Sequence, residues 1–240
     1  MRKSSKENII VVCTIVLCFM LTIGLCSVFS GDGILSVVSF GKSDSEDVYA
    51  VAVGGYTDMT LARATADLIK GRGGAGYIVD GDTIEIIYAV YYDEDTAKSV
   101  QAALGESGTY VKQISIKSSK LKWAGDLKSA VQAALGYYKL AFDGLYETAN
   151  NLSDSTIEKQ DAITQIQVLT SQIEDIKAVF YQKAADSDSP QITEVKLALI
   201  TAIALLQNIK RTDNTAQFVS SIRYALVQLV MCRQALMNSI

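Results

Sequence analysis

The sequence predicts an α+β protein with three parts: an N-terminal transmembrane helix, a βαββαβ domain and a C-terminal antiparallel helical bundle. Three observations predict it. An uncharged run occupies Ile9–Phe29, alternating strand and helix signals occupy 48–117, and helical periodicity takes over from about Leu121. The corresponding division is 1–30 cytoplasmic stub and anchor, 31–47 linker, 48–117 sheet domain and 120–240 bundle. With 240 residues, there is room for one large domain or two small ones beyond an anchor.

The apolar run would extend roughly 30 Å as a helix, the thickness of a bilayer's hydrocarbon core. Arg2, Lys3 and Lys6 precede it. That cluster favours the cytoplasmic side, so the expected location is the cell membrane, single-pass, with the C-terminal region extracytoplasmic. The alternative is a cleaved signal peptide, with Val28 and Ser30 at the −3 and −1 positions before Gly31. Residues 31–47, with three glycines, four serines and four acids, read as a linker.

In the next segment Tyr49–Val53 is a short β-prone run, ended by Gly54-Gly55. Thr57 or Asp58 can cap a helix whose apolar face includes Ala62, Ala66 and Ile69. Gly71, Gly73 and Gly74 stop that helix, and Tyr77–Val79 is a second strand. Asp80-Gly81-Asp82 is a hairpin turn into a third strand, Thr83–Tyr91. Asp93 caps a second helix with Ala97, Val100 and Leu104, and Tyr110–Ile116 is the fourth strand. Tyr56, Asp58, Ala62 and Ile69 repeat as Tyr91, Asp93, Ala97 and Leu104 at a constant offset of 35. A repeated unit of this kind implies a four-stranded antiparallel sheet with both helices on one face. Alternation turns Tyr49, Val51 and Val53 under those helices. It turns Ala50 and Ala52, beside Glu85 and Ile87, toward the other face, which is either open or covered by a partner.

Tyr49-Ala-Val-Ala-Val-Gly-Gly-Tyr56, followed by the Ala62 helix, Tyr77–Val79, a hairpin and the Ala97 helix, resembles the SPOR (sporulation-related repeat) domain. The resemblance covers about 70 of the 240 residues. It implies a ferredoxin-like fold and binding to peptidoglycan glycan strands, especially those stripped of stem peptides at division septa. The function it implies is localisation or scaffolding at the bacterial cell wall during division or sporulation. The glycan site it implies is the open sheet face at Ala52, Gly55, Glu85 and Ile87. At Ala52 the family often has a glycan-contacting Gln, and at Gly55 a Ser. An alternative follows from these departures: a membrane-tethered protein–protein interaction module whose SPOR-like fold no longer binds glycan.

Four amphipathic helices follow. The first stripe runs Leu127, Val131, Ala134, Tyr138, Phe142, Leu145, Ala149, and the second from Ala162 to Phe180. Ser155 with Glu158 forms a capping box before the second, and Ser189-Pro190 starts the third. Thr212 or Asp213 starts the last. Short links argue for an antiparallel bundle that can recruit a protein partner.

Net charge is −4, divided as +2 over 1–30, −6 over 31–119 and zero over 120–240. No basic patch marks a nucleic-acid partner. The chain has no histidine, which removes the commonest general base and metal ligand. Asp80, Asp82 and Asp93–Asp95 lie at a turn and a helix start, where carboxylates serve local structure, and Asp80 with Asp82 gives too few ligands for calcium. Cys232 falls on an apolar stripe. The sequence therefore points to a non-enzyme with no metal or cofactor.

Overall fold

The computed structural model describes residues 46–118 and 125–240. Four strands, β1 (Glu46–Tyr56), β2 (Tyr77–Val79), β3 (Ile84–Tyr91) and β4 (Thr109–Ile116), form one antiparallel sheet in the order β2-β3-β1-β4. Helices α1 (Met59–Gly71) and α2 (Glu94–Leu104) connect them in a βαββαβ chain order. The 35-residue repeat is realised at both helix starts. Asp58 and Asp93 are the N-caps, accepting from Thr60 N–H and Thr96 N–H at 2.6 Å. Ala62 and Ala97 are both fully buried. Val53 packs with Ala62, Ala66 and Ile69, and Val51 with Ala97, so the helix-facing side of β1 is the one alternation predicts.

Strand β1 runs through Gly54-Gly55 instead of ending there. Its pairing with β3 shifts between Val53 and Tyr56, and Gly55, at φ +89°, takes the left-handed conformation that a bulge requires. A second shift, opposite Val51 and Ala52, leaves Tyr88 unpaired on β3 and returns Val90 to the face that carries Ile87.

Beyond the sheet come α3 (Gly125–Leu135), α4 (Tyr137–Ser153), α5 (Lys159–Lys183), α6 (Pro190–Gln207) and α7 (Thr215–Ser239). The bundle thus has five helices where the stripe pattern predicts four. Gly136 breaks the first stripe, and its N–H bonds back to both Gln132 O and Ala133 O. Helices α4 to α7 pack as a ring, with α4 closing against α7. The capping box before α5 is Glu158 with Asp161, and Ser155 instead adopts φ 58° in the preceding turn. Helix α7 is capped by Asn214, whose side chain accepts from Gln217 N–H.

The transmembrane helix of the expected fold class, and the cell-membrane location built on it, are corrected. Among the described residues no helix is long and apolar enough to cross a membrane. The most apolar, α6, is 18 residues long, includes Glu194 and Lys196, and turns Ile192, Val195, Leu199, Ala202 and Leu206 into the bundle core. The run Ile9–Phe29 lies outside the described residues.

Sheet and bundle belong to one compact unit, Lys42–Ile240, so the division expected between 117 and 120 falls inside it. Val48, Ala50, Ile87, Val90, Ile114 and Ile116 form a continuous apolar core with Tyr138, Phe142, Leu229 and the other buried bundle residues. The part of the second sheet face that carries these residues is covered by the chain's own helices.

Candidate functional site

The sheet face expected to be open is occupied in two different ways. Along β4, the even-numbered residues Ile114 and Ile116 enter the core shared with the bundle, and Tyr110 and Lys112 continue the same side of the strand. Across the sheet Ala52 pairs with both Ile87 and Tyr110, and Ala50 with both Val90 and Lys112. Lys112 Nζ donates to Glu85 Oε2 at 2.5 Å, although β1 lies between their strands. The bridge spans β1 because β1 presents only alanine there. The Tyr110 hydroxyl lies beside the Glu85 carboxylate. The Lys112 bond holds the Glu85 carboxyl below the usual carboxylate range, against the opposing effect of burial. Burial, and then Glu85, push the Tyr110 phenol up to about 12. Gly54 makes room for this ring, since a Cβ there would stand 2.9 Å from the Tyr110 hydroxyl.

Of the four expected glycan residues, the structure brings Ala52, Glu85 and Ile87 together on one face. Ala52 and Ile87 are 0% and 1% exposed. The Glu85 side chain keeps 19% exposure and is engaged by Lys112. Gly55 is exposed at the β1 bulge. Tyr110, Lys112 and Gly54 are the members that the sequence reading missed. Parity along β4 was the available signal for the first two.

The other half of this face meets α4 and α7 through a polar seam. Tyr92, just past β3, donates its hydroxyl to Asp143 Oδ1 at 2.7 Å, and Lys139 Nζ reaches Asp143 Oδ2 at 2.9 Å. The Tyr92 ring lies 4.3 Å from that of Phe142. Arg233 of α7 is buried, donates from Nη1 to Leu135 O at 3.0 Å, and stacks over Tyr138 at 5.3 Å. The carbonyl it satisfies is the one left at the end of α3 by the break at Gly136. The Tyr137 and Tyr138 hydroxyls and Arg233 Nε have no hydrogen-bond partner among the described residues. Glu46, half-buried at the start of β1, has its carboxyl raised by burial, against the attraction of Arg233 and Lys139. At the other end of α7, Arg223 Nη1 donates to Gly73 O at 3.0 Å, and Tyr224 packs against Tyr77 at 5.3 Å.

Burial pushes the Tyr137 and Tyr138 phenols above their ordinary range, so their hydroxyls stay protonated at neutral pH. Burial also raises the Cys232 thiol, away from the thiolate a nucleophile needs. Asp58 and Asp93 are held below the ordinary range by the backbone N–H groups they cap. Among the described residues no group of three or more cysteines and carboxylates is placed to hold a metal ion.

Among the described residues four large apolar side chains remain on the outside: Leu61 and Leu68 on α1, and Leu197 and Ile200 on α6. Each pair shares one helix flank, at i, i+7 and i, i+3. No protein-family profile, no curated protein and no solved structure matches this chain.

Proposed function

We propose that this chain is a protein–protein interaction module, built on a SPOR-like sheet that no longer binds glycan. One observation carries the reading. The face on which a SPOR-like domain would receive a glycan strand is packed against the chain's own α7, with α4 joined to it at Tyr92, and its remaining end is closed by Glu85, Tyr110 and Lys112. A sugar ring needs exposed planar polar groups and aromatic faces, and Ala52 and Ile87 expose neither. The outward surface has what a protein partner uses, namely isolated apolar anchors among polar residues, at Leu197 and Ile200 of α6.

Two measurements test it. Pelleting with amidase-treated sacculi should leave the protein in the supernatant, and retention that saturates with added protein would favour the glycan reading. Quantitative affinity purification should compare the native chain with L197S/I200S. A partner recovered by the first and lost by the second, with unchanged melting, supports the module; identical sets of recovered proteins count against α6 as its surface.

A further inference from the structure

Among the described residues, the outer edge of β4 has partners at Thr109 and at the Ser115 carbonyl and none at Val111 and Gln113 between them. Thr109 N–H donates to Glu106 O, and Thr109 O accepts from Gln101 Nε2 at 2.7 Å. Ser115 O accepts from Gln234 Nε2 at 3.3 Å. These bonds establish the parity of the strand. The odd-numbered residues of β4 turn their backbone groups away from β1, and Tyr110, Lys112, Ile114 and Ile116 bond toward Ala52, Ala50, Val48 and Glu46. Between the capped ends lie Val111 and Gln113. No described residue bonds their outward N–H and C=O groups, and Lys112 and Gln113 are exposed.

We infer that this edge pairs antiparallel with the same edge of a second copy, about a two-fold axis at Lys112. The spacing is self-complementary. Val111 and Gln113 lie one residue on either side of Lys112, and the capped Thr109 and Ser115 lie three residues on either side. Val111 then forms a hydrogen-bonded pair with the partner's Gln113, and Gln113 with the partner's Val111. Each such pair exchanges two bonds, so all four free groups of each strand are satisfied. The next pair of that kind would join Thr109 to the partner's Ser115, where the glutamine caps stop the ladder. The occupied Thr109 and Ser115 carbonyls lie equally far on either side of Lys112, which is the spacing that a second copy of the same edge matches.

Charge is the objection, and the structure answers it. A lysine on an exposed edge ordinarily guards against such pairing, and two lysines directly opposite repel. Here Glu85 draws the Lys112 ammonium inward across β1 and neutralises it. The window left at the edge, Val111 and Gln113, is uncharged. A ladder this short makes a small interface, so the dimer is weak and concentration-dependent. This inference is independent of the α6 surface and survives its failure.

Sedimentation equilibrium of the full chain over a concentration series tests it. The weight-average mass should climb toward twice the monomer value. Q113P removes one outward N–H without touching the β1 ladder, and should keep the protein monomeric with little change in melting. E85Q releases the Lys112 charge and should weaken association, with added salt restoring it. Hydrogen exchange should slow with concentration at the Val111 and Gln113 amides, which checks the same contact should Q113P fail to fold. A mass that stays monomeric throughout overturns the inference. So does a dimer that persists in folded Q113P, or exchange at the two amides that ignores concentration.

Discussion

Replacing Ile87 by alanine tests whether sheet and bundle stand or fall together. Ile87 lies on β3, paired with Tyr77 and Ala52, and its side chain enters the core that the sheet shares with the helices. At 1% exposure it has no route to solvent, so truncation leaves a cavity on the seam. Burial and cavity terms together place such a change at about 2–5 kcal/mol, with about 3 as the centre. For a unit of this size each kcal/mol moves the midpoint by about 2–4 °C, so a fall of about 6–12 °C is expected. The helical circular dichroism band, to which α3–α7 contribute most, should fall by that full amount even though the substitution is in a strand. Strand and helix amides should show the same loss of protection in hydrogen exchange. L68S, on an exposed flank of α1, should move the midpoint far less. A helical transition that stays at the native temperature in I87A, while strand amides exchange faster, would refute the shared core and restore two independent folding units.

Two further predictions concern the polar groups. Arg233→Ala should cost about 2–4 kcal/mol, because it empties a buried site over Tyr138 and leaves Leu135 O unpaired; R233M fills the volume and should cost less, as read from denaturant midpoints. Glu46 and Glu85 should give pH dependences of opposite sign. The folded Glu46 carboxyl is raised, so its contribution is most favourable in acid and is lost as pH rises from the ordinary carboxylate value through the raised one; E46Q should melt higher than the native chain at neutral pH and converge with it in acid. The folded Glu85 carboxyl is lowered, so its contribution is present above the ordinary value and lost as pH falls through the lowered one; E85Q should melt lower at neutral pH and converge in acid. Matching curves for the two variants would show that these environments have been misread.

Local chemistry made most of the sheet legible. Alternation in Tyr49–Val53 assigned its helix-facing side, Asp93 announced its helix, and Tyr77–Val79 has the bounds that its β-prone residues suggest. What failed needed partners distant in the chain. Ala50 and Ala52 read as an open face because small side chains carry little hydrophobic signal. In the folded chain their smallness has two uses: at Ala50 it lets the bundle approach, and at Ala52 it lets Glu85 reach Lys112. Alanine permits exposure and close packing equally, and periodicity cannot choose between them. The break at Gly136 was hidden for a similar reason. The apolar stripe continues through it in phase, and the group that supports it, Arg233, is 98 residues from Leu135. The Tyr88 bulge likewise leaves no mark on β3 itself and is set by its pairing with β1.

The seam between sheet and bundle is apolar enough to hold the layers together, yet it is crossed by groups that tolerate few arrangements. Apolar side chains alone would permit α7 to slide or rotate on the sheet at modest cost, because hydrophobic burial is non-directional. Tyr92 must meet Asp143, Arg223 must meet Gly73 O, and Gln234 must meet Ser115 O, while within the bundle Arg233 ties α7 to the end of α3. The three contacts between the layers join separate points of the sheet domain, Tyr92, Gly73 and Ser115, to α4 and to both ends of α7, so sliding or rotating α7 would break at least one of them. Burying Arg233 with its Nε unpaired, beside two phenols without partners, costs stability that an all-apolar seam would keep. The contacts offset that cost with a fixed register. A register of this kind holds the cover on the sheet in one position, with Gln234 bonded to Ser115 O at one end of the β4 edge and no described residue bonded to the outward groups of Val111 and Gln113.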